Sequence, residues 1–219
     1  MSDPRSNNMG YTNLVVDLFS GTGSATAPFQ ECGKHTVLTV DSEIHPGRVP
    51  LIRADVRSLP DFIRGPVEFL WASPPCVEFS QATNLRRRWG YPGPDPQKGM
   101  ELVLATKRII DRLRPAHYAI ENVKGSVPWI SQVFGRPKLG WSGRWIWANF
   151  AFDGLMPAKL EPKMPHKKGA AFPHIAAFKE KRKQMAELKI RDGFEGYSAF
   201  VAMIPRPISE AVHKAVCGG

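Results

Sequence analysis

Short apolar runs, each closed by a polar residue or a glycine turn, recur through the first 150 residues and predict buried β-strands. Segments with the helical spacing of apolar positions lie between them. The predicted strands are residues 14–19, 35–41, 51–54, 67–72 and 117–120, and the predicted helices are 25–32 and 97–113. Strands that alternate with helices predict an α/β fold with a doubly wound, mostly parallel sheet.

Polar residues stand where these predicted strands end. They are Asp17, Asp41, Asp55, Cys76 and Glu121. Ligands of doubly wound sheets bind beyond the carboxyl ends of the strands. The pattern therefore predicts one site that all five residues share.

The composition is that of a folded domain with a basic surface. The chain has 219 residues, of which 42% are hydrophobic, and this suits one α/β domain. Apolar runs stay shorter than a membrane span needs, and residues 1–12 predict a polar, disordered lead-in rather than a secretory signal. The net charge of +10 favours a polyanion such as nucleic acid, although a basic protein without such a partner would have the same charge.

Most of the excess charge is concentrated late in the chain. Residues 159–191 contain ten lysines and arginines but three glutamates. A Pro/Gly-rich first part is followed by a helix-like stretch around residues 175–188. Apolar character returns in residues 201–216, with a helix expected after Pro207.

The three cysteines predict neither a disulfide framework nor a metal site, because they are an odd number without metal-like spacing. This usage favours a reducing cytoplasm. Cys32, in a predicted helix, and Cys217, in a tail, are typical of inert cysteines. Cys76 differs, because Pro74 and Pro75 fix the backbone before it and would present its thiol at the sheet edge.

A reactive cysteine needs partial exposure and positive neighbours. Three arginines follow soon after Cys76 and could supply this field or contact phosphate; they are Arg86, Arg87 and Arg88. The neighbouring strand ends in Glu121, whose carboxyl group could protonate a heterocycle nitrogen while Cys76 attacks the ring. Alternatively, Glu121 is a surface carboxylate that caps a helix beginning near Ser126.

The glycine turn after the first strand indicates a cofactor site. Gly21 and Gly23 lie where backbone N–H groups at a helix N-terminus can bind a polar ligand. Asp41, about 20 residues after the turn, is suited to ribose hydroxyls. Such a turn can also be a simple tight connection, but together with Asp41 and Asp55 it favours a nucleoside cofactor.

These motifs resemble those of the DNA cytosine-5 methyltransferases. Residues Asp17–Ser24 resemble the first cofactor motif, Ser73–Ser80 the catalytic Pro-Cys motif, and Glu121–Val123 the Glu-Asn-Val motif. Gly143–Trp147 resembles the strand with a target-base arginine, and Ile204–Ser209 the family's last motif. The resemblance implies the fold of S-adenosylmethionine-dependent methyltransferases.

The resemblance also implies a mechanism. Cys76 would add to C6 of a flipped-out cytosine, Glu121 would hold N3, and Arg144 would contact the base or its sugar-phosphate. The cofactor would be S-adenosylmethionine, with S-adenosylhomocysteine as product, and no metal is expected. Phe19 would pack on the adenine, Asp41 would bind ribose, and Asp55 and Val56 would meet the adenine edge. The full cofactor-binding set is Asp17, Phe19, Gly21, Gly23, Asp41, Asp55, Val56 and Pro75. The expected substrate-binding residues are Ser80, Asn122, Arg86, Arg87, Arg88, Lys181, Arg182 and Lys183.

The sequence departs from the family pattern in several places. Val77 replaces the usual Gln, and Ala202 stands where Asn is usual. Arg144 alone remains of a Gln-x-Arg-x-Arg motif, with Gly140 and Ser142 at the other places. The expected organisation is a catalytic and cofactor-binding domain over 13–150, a reduced, basic target-recognition region over 151–198, and a segment over 199–219 that returns to the catalytic domain. Specificity should then be short, loose or supplied by a protein partner.

The expected partner is DNA rather than a membrane. The expected setting is the cytoplasm of a prokaryotic or phage-infected cell, with a role such as restriction-modification. One alternative is the same chemistry on RNA, on a free nucleotide or with a modified methyl donor. Another is a non-catalytic, basic nucleic-acid-binding module. Methylation of adenine or of cytosine N4 is disfavoured, because those enzymes typically have an aromatic residue where this chain has Cys76.

Overall fold

The computed structural model describes residues 13–44, 50–59, 61, 63–80, 93–141, 143–156 and 204–218. Seven strands form one sheet in the order β3-β2-β1-β4-β5-β7-β6. The strands are β1 (Leu14–Leu18), β2 (Thr36–Asp41), β3 (Ile52–Arg53), β4 (Val67–Ala72), β5 (His117–Val123), β6 (Leu139–Trp141) and β7 (Arg144–Ala148). Neighbouring strands among β1–β5 pair in parallel, whereas β7 is antiparallel to both β5 and β6.

Helices cover both faces of this sheet, so the doubly wound, mostly parallel prediction is confirmed. The helices are α1 (Ala27–Glu31), α2 (Pro96–Leu113), α3 (Val127–Phe134) and α4 (Arg206–Cys217), with short 3-10 helices at Val56–Ser58 and Lys124–Ser126. One apolar cluster joins α2 and α3 to the sheet, and a second joins α1 and α4 to the opposite face.

Local sequence signals explain the bounds of α2. The side chain of Asp95 accepts hydrogen bonds from the backbone N–H groups of Gln97 and Lys98, and Pro96 occupies the first turn. Arg114 adopts a left-handed conformation with a φ of 45°, and Pro115 follows it. The helix therefore begins one residue before the predicted range and ends where predicted.

Two expectations about strand and helix ends are wrong. Strand β5 continues to Val123, so Glu121 and Asn122 lie inside the strand rather than after it. Cys217 is the last residue of α4 rather than part of a tail. Both elements extend beyond the apolar runs that predicted them. Strand β5 continues because β7 pairs with it as far as Val123, and α4 continues because its apolar face packs on α1 and the sheet.

Several sequence predictions lie outside the described residues. They concern the lead-in over 1–12, the helix-like stretch at 175–188, the basic groups at Arg86–Arg88 and Lys181–Lys183, and the positions of Ser142 and Ala202. The boundaries of the three predicted regions stay predictions. Within the described ranges, no helix combines the length and apolar character that a membrane span requires.

The C-terminal helix is bound to the beginning of the fold. The backbone N–H of Ile204 donates to Ser24 Oγ at 2.9 Å, in the loop after β1. The guanidinium of Arg206 donates to both carboxylate oxygens of Glu31, at 2.6 and 2.5 Å. Ile208 and Val212 are fully buried in the apolar cluster beneath. The last described segment thus completes one face of the sheet.

We expect Ile208→Ala to destabilise the protein by about 2–5 kcal/mol, because it leaves a cavity between α4 and the sheet. Lys214→Ala, an exposed position on the same helix, is the control and should stay within about 0.5 kcal/mol of the wild type. Urea unfolding measures both. Equal stability of the two variants would mean that α4 is not part of the cooperative core.

Candidate active site

The Cys76 turn is fixed at both sides by the neighbouring strands. The backbone N–H of Ser73 donates to the carbonyl of Leu18, at 3.3 Å. The amide Nδ2 of Asn122 donates to the carbonyl of Pro74, at 2.9 Å, from a fully buried position. The N–H of Phe79 closes the turn by donating to the carbonyl of Cys76 at 3.0 Å. The thiol itself is half-buried, so the partial exposure expected of a reactive cysteine is present.

Glu121 is buried beside this turn and forms an ion pair with Arg144. Its side chain is 4% exposed, and Nη1 of Arg144 donates to Oε1 at 2.8 Å. The two residues come from adjacent antiparallel strands, since Arg144 is paired with Val123 in the sheet. The alternative in which Glu121 is a surface carboxylate is therefore wrong.

The charges around Cys76 oppose one another. Burial raises the pKa of the Cys76 thiol above its ordinary value, and the Glu121 carboxylate raises this pKa further. Arg144 lowers the pKa but does not reverse the shift. The raised pKa favours the protonated thiol at neutral pH. Among the described residues, Arg144 is the positive neighbour whose charge acts on the thiol. The predicted contribution of Arg86–Arg88 lies outside the described residues.

Left-handed backbone conformations shape the turn after β1. Phe19, Gly21 and Gly23 have φ angles of 60°, 47° and 72°. The N–H of Gly21 donates to Oδ2 of Asp41 at 2.8 Å, and the N–H of Glu43 donates to Oδ1 at 3.0 Å. Asp41 thus ties the glycine turn to the end of β2. The N–H groups of Ser20, Gly21 and Gly23 are thus all bonded inside the protein rather than facing outward.

The other predicted cofactor residues lie at the same sheet edge in different environments. Asp17 is fully buried and accepts a hydrogen bond from Thr26 Oγ1 at 2.6 Å, so it holds the turn from below. Val56 is buried at the start of its 3-10 helix. Pro75 is exposed. Phe19 is partly buried against the core.

Asp55 is engaged by Arg57. The carboxylate accepts from the backbone N–H of Arg57 at 2.8 Å and from its guanidinium at 2.7–3.1 Å. These hydrogen bonds hold the pKa of Asp55 below its ordinary value. Arg57 also pairs with Glu101 of α2. Asp55 is therefore a fixed carboxylate at the edge of the expected adenine site.

Of the expected substrate contacts, the described structure includes Ser80 and Asn122. Ser80 is half-buried directly after Phe79. Asn122 accepts from the N–H of Val123 while it donates to Pro74, which gives it a positioning role for the Cys76 turn. Direct contact of either residue with substrate stays a prediction.

Two glycines that the sequence did not single out allow the Cys76 turn to pack closely against its neighbours. A Cβ at Gly125 would collide with the carbonyl oxygen of Phe79, and a Cβ at Gly99 would lie 2.6 Å from the Phe79 ring. Phe79 is buried between them. Nothing in the local sequence identifies these glycines, because the contact exists only after α2 and the end of β5 pack against the turn.

Comparisons with known proteins agree with the motifs. The family model described as C-5 cytosine-specific DNA methylase matches residues 14–128, more than half of the chain. The chain is similar to the type II methyltransferase M.AquIA of Picosynechococcus, with 28% identity over 131 residues, 52% of this chain and 50% of that protein. A solved structure of an E. coli prophage protein described as a DNA modification methyltransferase matches 63% of this chain and 46% of that one, with 20% identity and a TM-score of 0.40. The chain spans about half the length of these relatives.

We expect Glu121→Gln to increase the rate at which iodoacetamide alkylates Cys76 severalfold at a fixed pH near 8. The substitution removes the negative charge that raises the pKa of the thiol, so the reactive thiolate becomes more abundant. The shape and the hydrogen bond from Arg144 can be kept by the amide oxygen. Mass spectrometry of the Cys76 peptide measures the rate separately from Cys32 and Cys217.

Glu78→Gln is the matched control, because Glu78 is in the same turn but contributes no shift to the thiol. Its amide oxygen can still accept from the N–H of Asp95. We expect the wild-type alkylation rate for this variant. An alkylation rate in Glu121→Gln equal to that of the wild type would mean that the Glu121 charge does not affect the thiol.

Proposed function

The chain belongs to the C-5 cytosine-specific DNA methylase family, and we propose that it transfers a methyl group from S-adenosylmethionine to C5 of cytosine in DNA. The observation that carries this proposal is the Cys76 turn beside a buried Glu121–Arg144 pair. A nucleophile and a proton-exchanging carboxyl group at one sheet edge are what addition to a pyrimidine ring requires.

The first step is addition of Cys76 Sγ to C6 of the cytosine. The ring electrons move toward N3, which takes a proton from Glu121. C6 is inaccessible inside a stacked duplex, so the target base must be flipped into the site. Arg144, which already contacts Glu121, is suited to orient that carboxyl group against N3.

Because the pKa of Cys76 is raised, the addition step must include removal of the thiol proton. The resting thiol carries a proton, and Glu121 is the acidic side chain whose charge reaches it. Transfer of the thiol proton to Glu121 creates the thiolate and removes the charge that opposes it. The same proton then passes to N3, so the adduct forms without an outside acid. After methylation, water takes the C5 proton, the C5–C6 double bond re-forms as the C6–S bond breaks, and the N3 proton returns through Glu121 to the released thiolate.

The residues at the other strand ends fit S-adenosylmethionine. Asp41 offers a buried carboxylate at the end of β2, beside the glycine turn whose Gly21 N–H it accepts, and this position suits ribose hydroxyls. Phe19 and Val56 offer apolar surface, and Asp55 offers acceptors, to the adenine. When bound, the cofactor supplies an electrophilic methyl group for C5.

DNA is the proposed polymer, and a prokaryotic or phage-infected cytoplasm is the proposed setting. The family match and the net charge of +10 support this assignment. The basic residues at 159–191 are the proposed DNA-contacting segment, including Lys181, Arg182 and Lys183. Because that segment is short, we propose that a protein partner or a short recognition sequence sets the target.

The test is covalent trapping on duplex DNA that contains 5-fluorocytosine. Fluorine at C5 cannot leave as a proton does, so the Cys76 adduct should persist after methyl transfer. We expect a cofactor-dependent, denaturation-resistant complex with the wild type and none with Cys76→Ala, which should still bind S-adenosylmethionine. Ordinary cytosine DNA is the matched substrate control and should give methylated product without a stable complex.

The same fluorinated base placed in RNA tests the polymer. Trapping on RNA but not on DNA would overturn the substrate while keeping the chemistry. Absence of a complex on either polymer, in a chain that binds S-adenosylmethionine, would favour the non-catalytic nucleic-acid-binding alternative.

We expect Gly125→Ala to lower the methylation rate about a hundredfold, because displacing the Phe79 carbonyl moves the Cys76 turn. The control is Gly154→Ala, whose Cβ would meet open space, so that its φ of 68° strains the backbone without displacing a neighbour. Turnover at saturating DNA and circular dichroism distinguish misplacement from unfolding. Equal turnover in the two variants would contradict a role for Gly125 in placing the turn.

A further inference from the structure

A second cluster of nucleophilic side chains lies away from the Cys76 site. It joins α1, β2 and α4, and its members are Cys32, His35, His213 and Cys217, with Glu68 of β4 beside them. Ligand atoms of Cys32, His35 and His213 lie within 4.8 Å of one another, and so do those of His35, Glu68 and Cys217. Two distant parts of the sequence supply them.

The spacing of the four residues is that of a metal site once the histidines are included. Cys32 and His35 are separated by two residues, and His213 and Cys217 by three. Structural zinc sites use such closely spaced pairs of Cys and His ligands, one pair from each of two segments. His213 and Cys217 are four residues apart in α4 and so share one helix face. The spacing of the cysteines did not predict this site, because each cysteine is close to a histidine rather than to another cysteine.

The contacts of His35 define the centre of the cluster. Its side chain is 4% exposed. Nδ1 lies 3.1 Å from Cys32 Sγ, and Nε2 lies 3.5 Å from Glu68 Oε2 and 3.6 Å from Cys217 Sγ. An imidazole that ligates zinc through one nitrogen usually donates its other N–H to a carboxylate. Glu68 is placed for this second role.

His213 supplies the independent sign that the cluster has a ligand. Its Nε2 atom is buried and has no hydrogen-bond partner within the described parts of the chain. A buried polar nitrogen without a partner is costly, and metal coordination would remove that cost. Phe29 packs edge-on against both His35 and His213, which explains the position of the His213 ring. This packing gives His213 Nε2 no hydrogen bond.

We propose that Cys32, His35, His213 and Cys217 bind one zinc ion, with Glu68 accepting a hydrogen bond from the second nitrogen of His35. Cys32, His35 and His213 are already gathered. Cys217 lies 3.6 Å from Nε2 of His35, beside Glu68, so the proposed set is completed only when its exposed side chain turns toward the other three ligands. The ion fastens α4 to the end of α1 and to β2, on the sheet face opposite α2 and α3.

The experiment uses the full chain, freed of metal by a chelator and titrated with Co²⁺ as a spectroscopic substitute for Zn²⁺. We expect one cobalt per chain, the visible bands of tetrahedral coordination, and a thiolate-to-cobalt absorption. Zn²⁺ should displace the cobalt and raise the midpoint of thermal unfolding of the chelator-treated chain.

The three cysteines provide a matched set of substitutions. Cys32→Ser and Cys217→Ser should each remove about half of the thiolate absorption, and Cys76→Ser should leave it unchanged. Glu68→Gln should weaken zinc binding about tenfold while keeping the tetrahedral spectrum. Cys217 is exposed at the end of α4, so its variant should fold even if Cys32→Ser does not.

Some results would overturn the proposal. If cobalt does not bind stoichiometrically, the four residues form a hydrogen-bonded Cys–His cluster that holds no metal. Full thiolate absorption in Cys217→Ser would exclude the four-ligand set, and a loss in Cys76→Ser would move the metal to the other site.

Discussion

The buried ion pair between Glu121 and Arg144 is the interaction on which the candidate site depends. Burying a carboxylate costs several kcal/mol unless a partner and hydrogen bonds compensate it, and removal of one partner from such a pair typically costs about 3–5 kcal/mol. Apolar residues could fill the same space at lower cost. The pair is therefore better explained by the site than by stability, because Arg144 fixes the orientation of the Glu121 side chain beside the Cys76 thiol, whose pKa burial raises.

The topology of the sheet makes this pair possible. Parallel pairing of β4 with β5 places Ala72 beside Ile120, so the Cys76 turn and Glu121 emerge at one edge. A further parallel strand beside β5 would point its first residue to the opposite edge. Because β7 is antiparallel, its first residue, Arg144, lies at the same edge as the Cys76 turn instead. The single reversal of strand direction beside β5 thus supplies the cation.

Local sequence signals were sufficient for the fold, whereas the assignment of Cys76, Glu121 and Arg144 as reacting groups stays a prediction. The bounds of β4 were predicted correctly, and those of α2 to within one residue, because apolar runs, caps and prolines are local signals. The Glu121–Arg144 pair and the space at Gly125 were not predictable, since they arise from contacts between elements that are distant in sequence. The Cys32–His213 proximity was hidden for the same reason, because 180 residues lie between these two positions in the sequence.

The Cys76 turn and the C-terminal helix pack on opposite faces of the sheet. The Cys76 turn packs through Phe79 onto α2 and the 3-10 helix that follows β5. The opposite face is closed by α4, whose Arg206 binds Glu31 of α1, while Ile204 just before the helix binds Ser24 in the loop after β1. A zinc ion at Cys32, His35, His213 and Cys217 reinforces that second face alone. Loss of the metal would then loosen the glycine turn, the proposed cofactor site, before it disturbs the Cys76 turn. The proposal thus connects the stability of the C-terminal helix to the affinity of that turn for a cofactor rather than to the reactivity of Cys76.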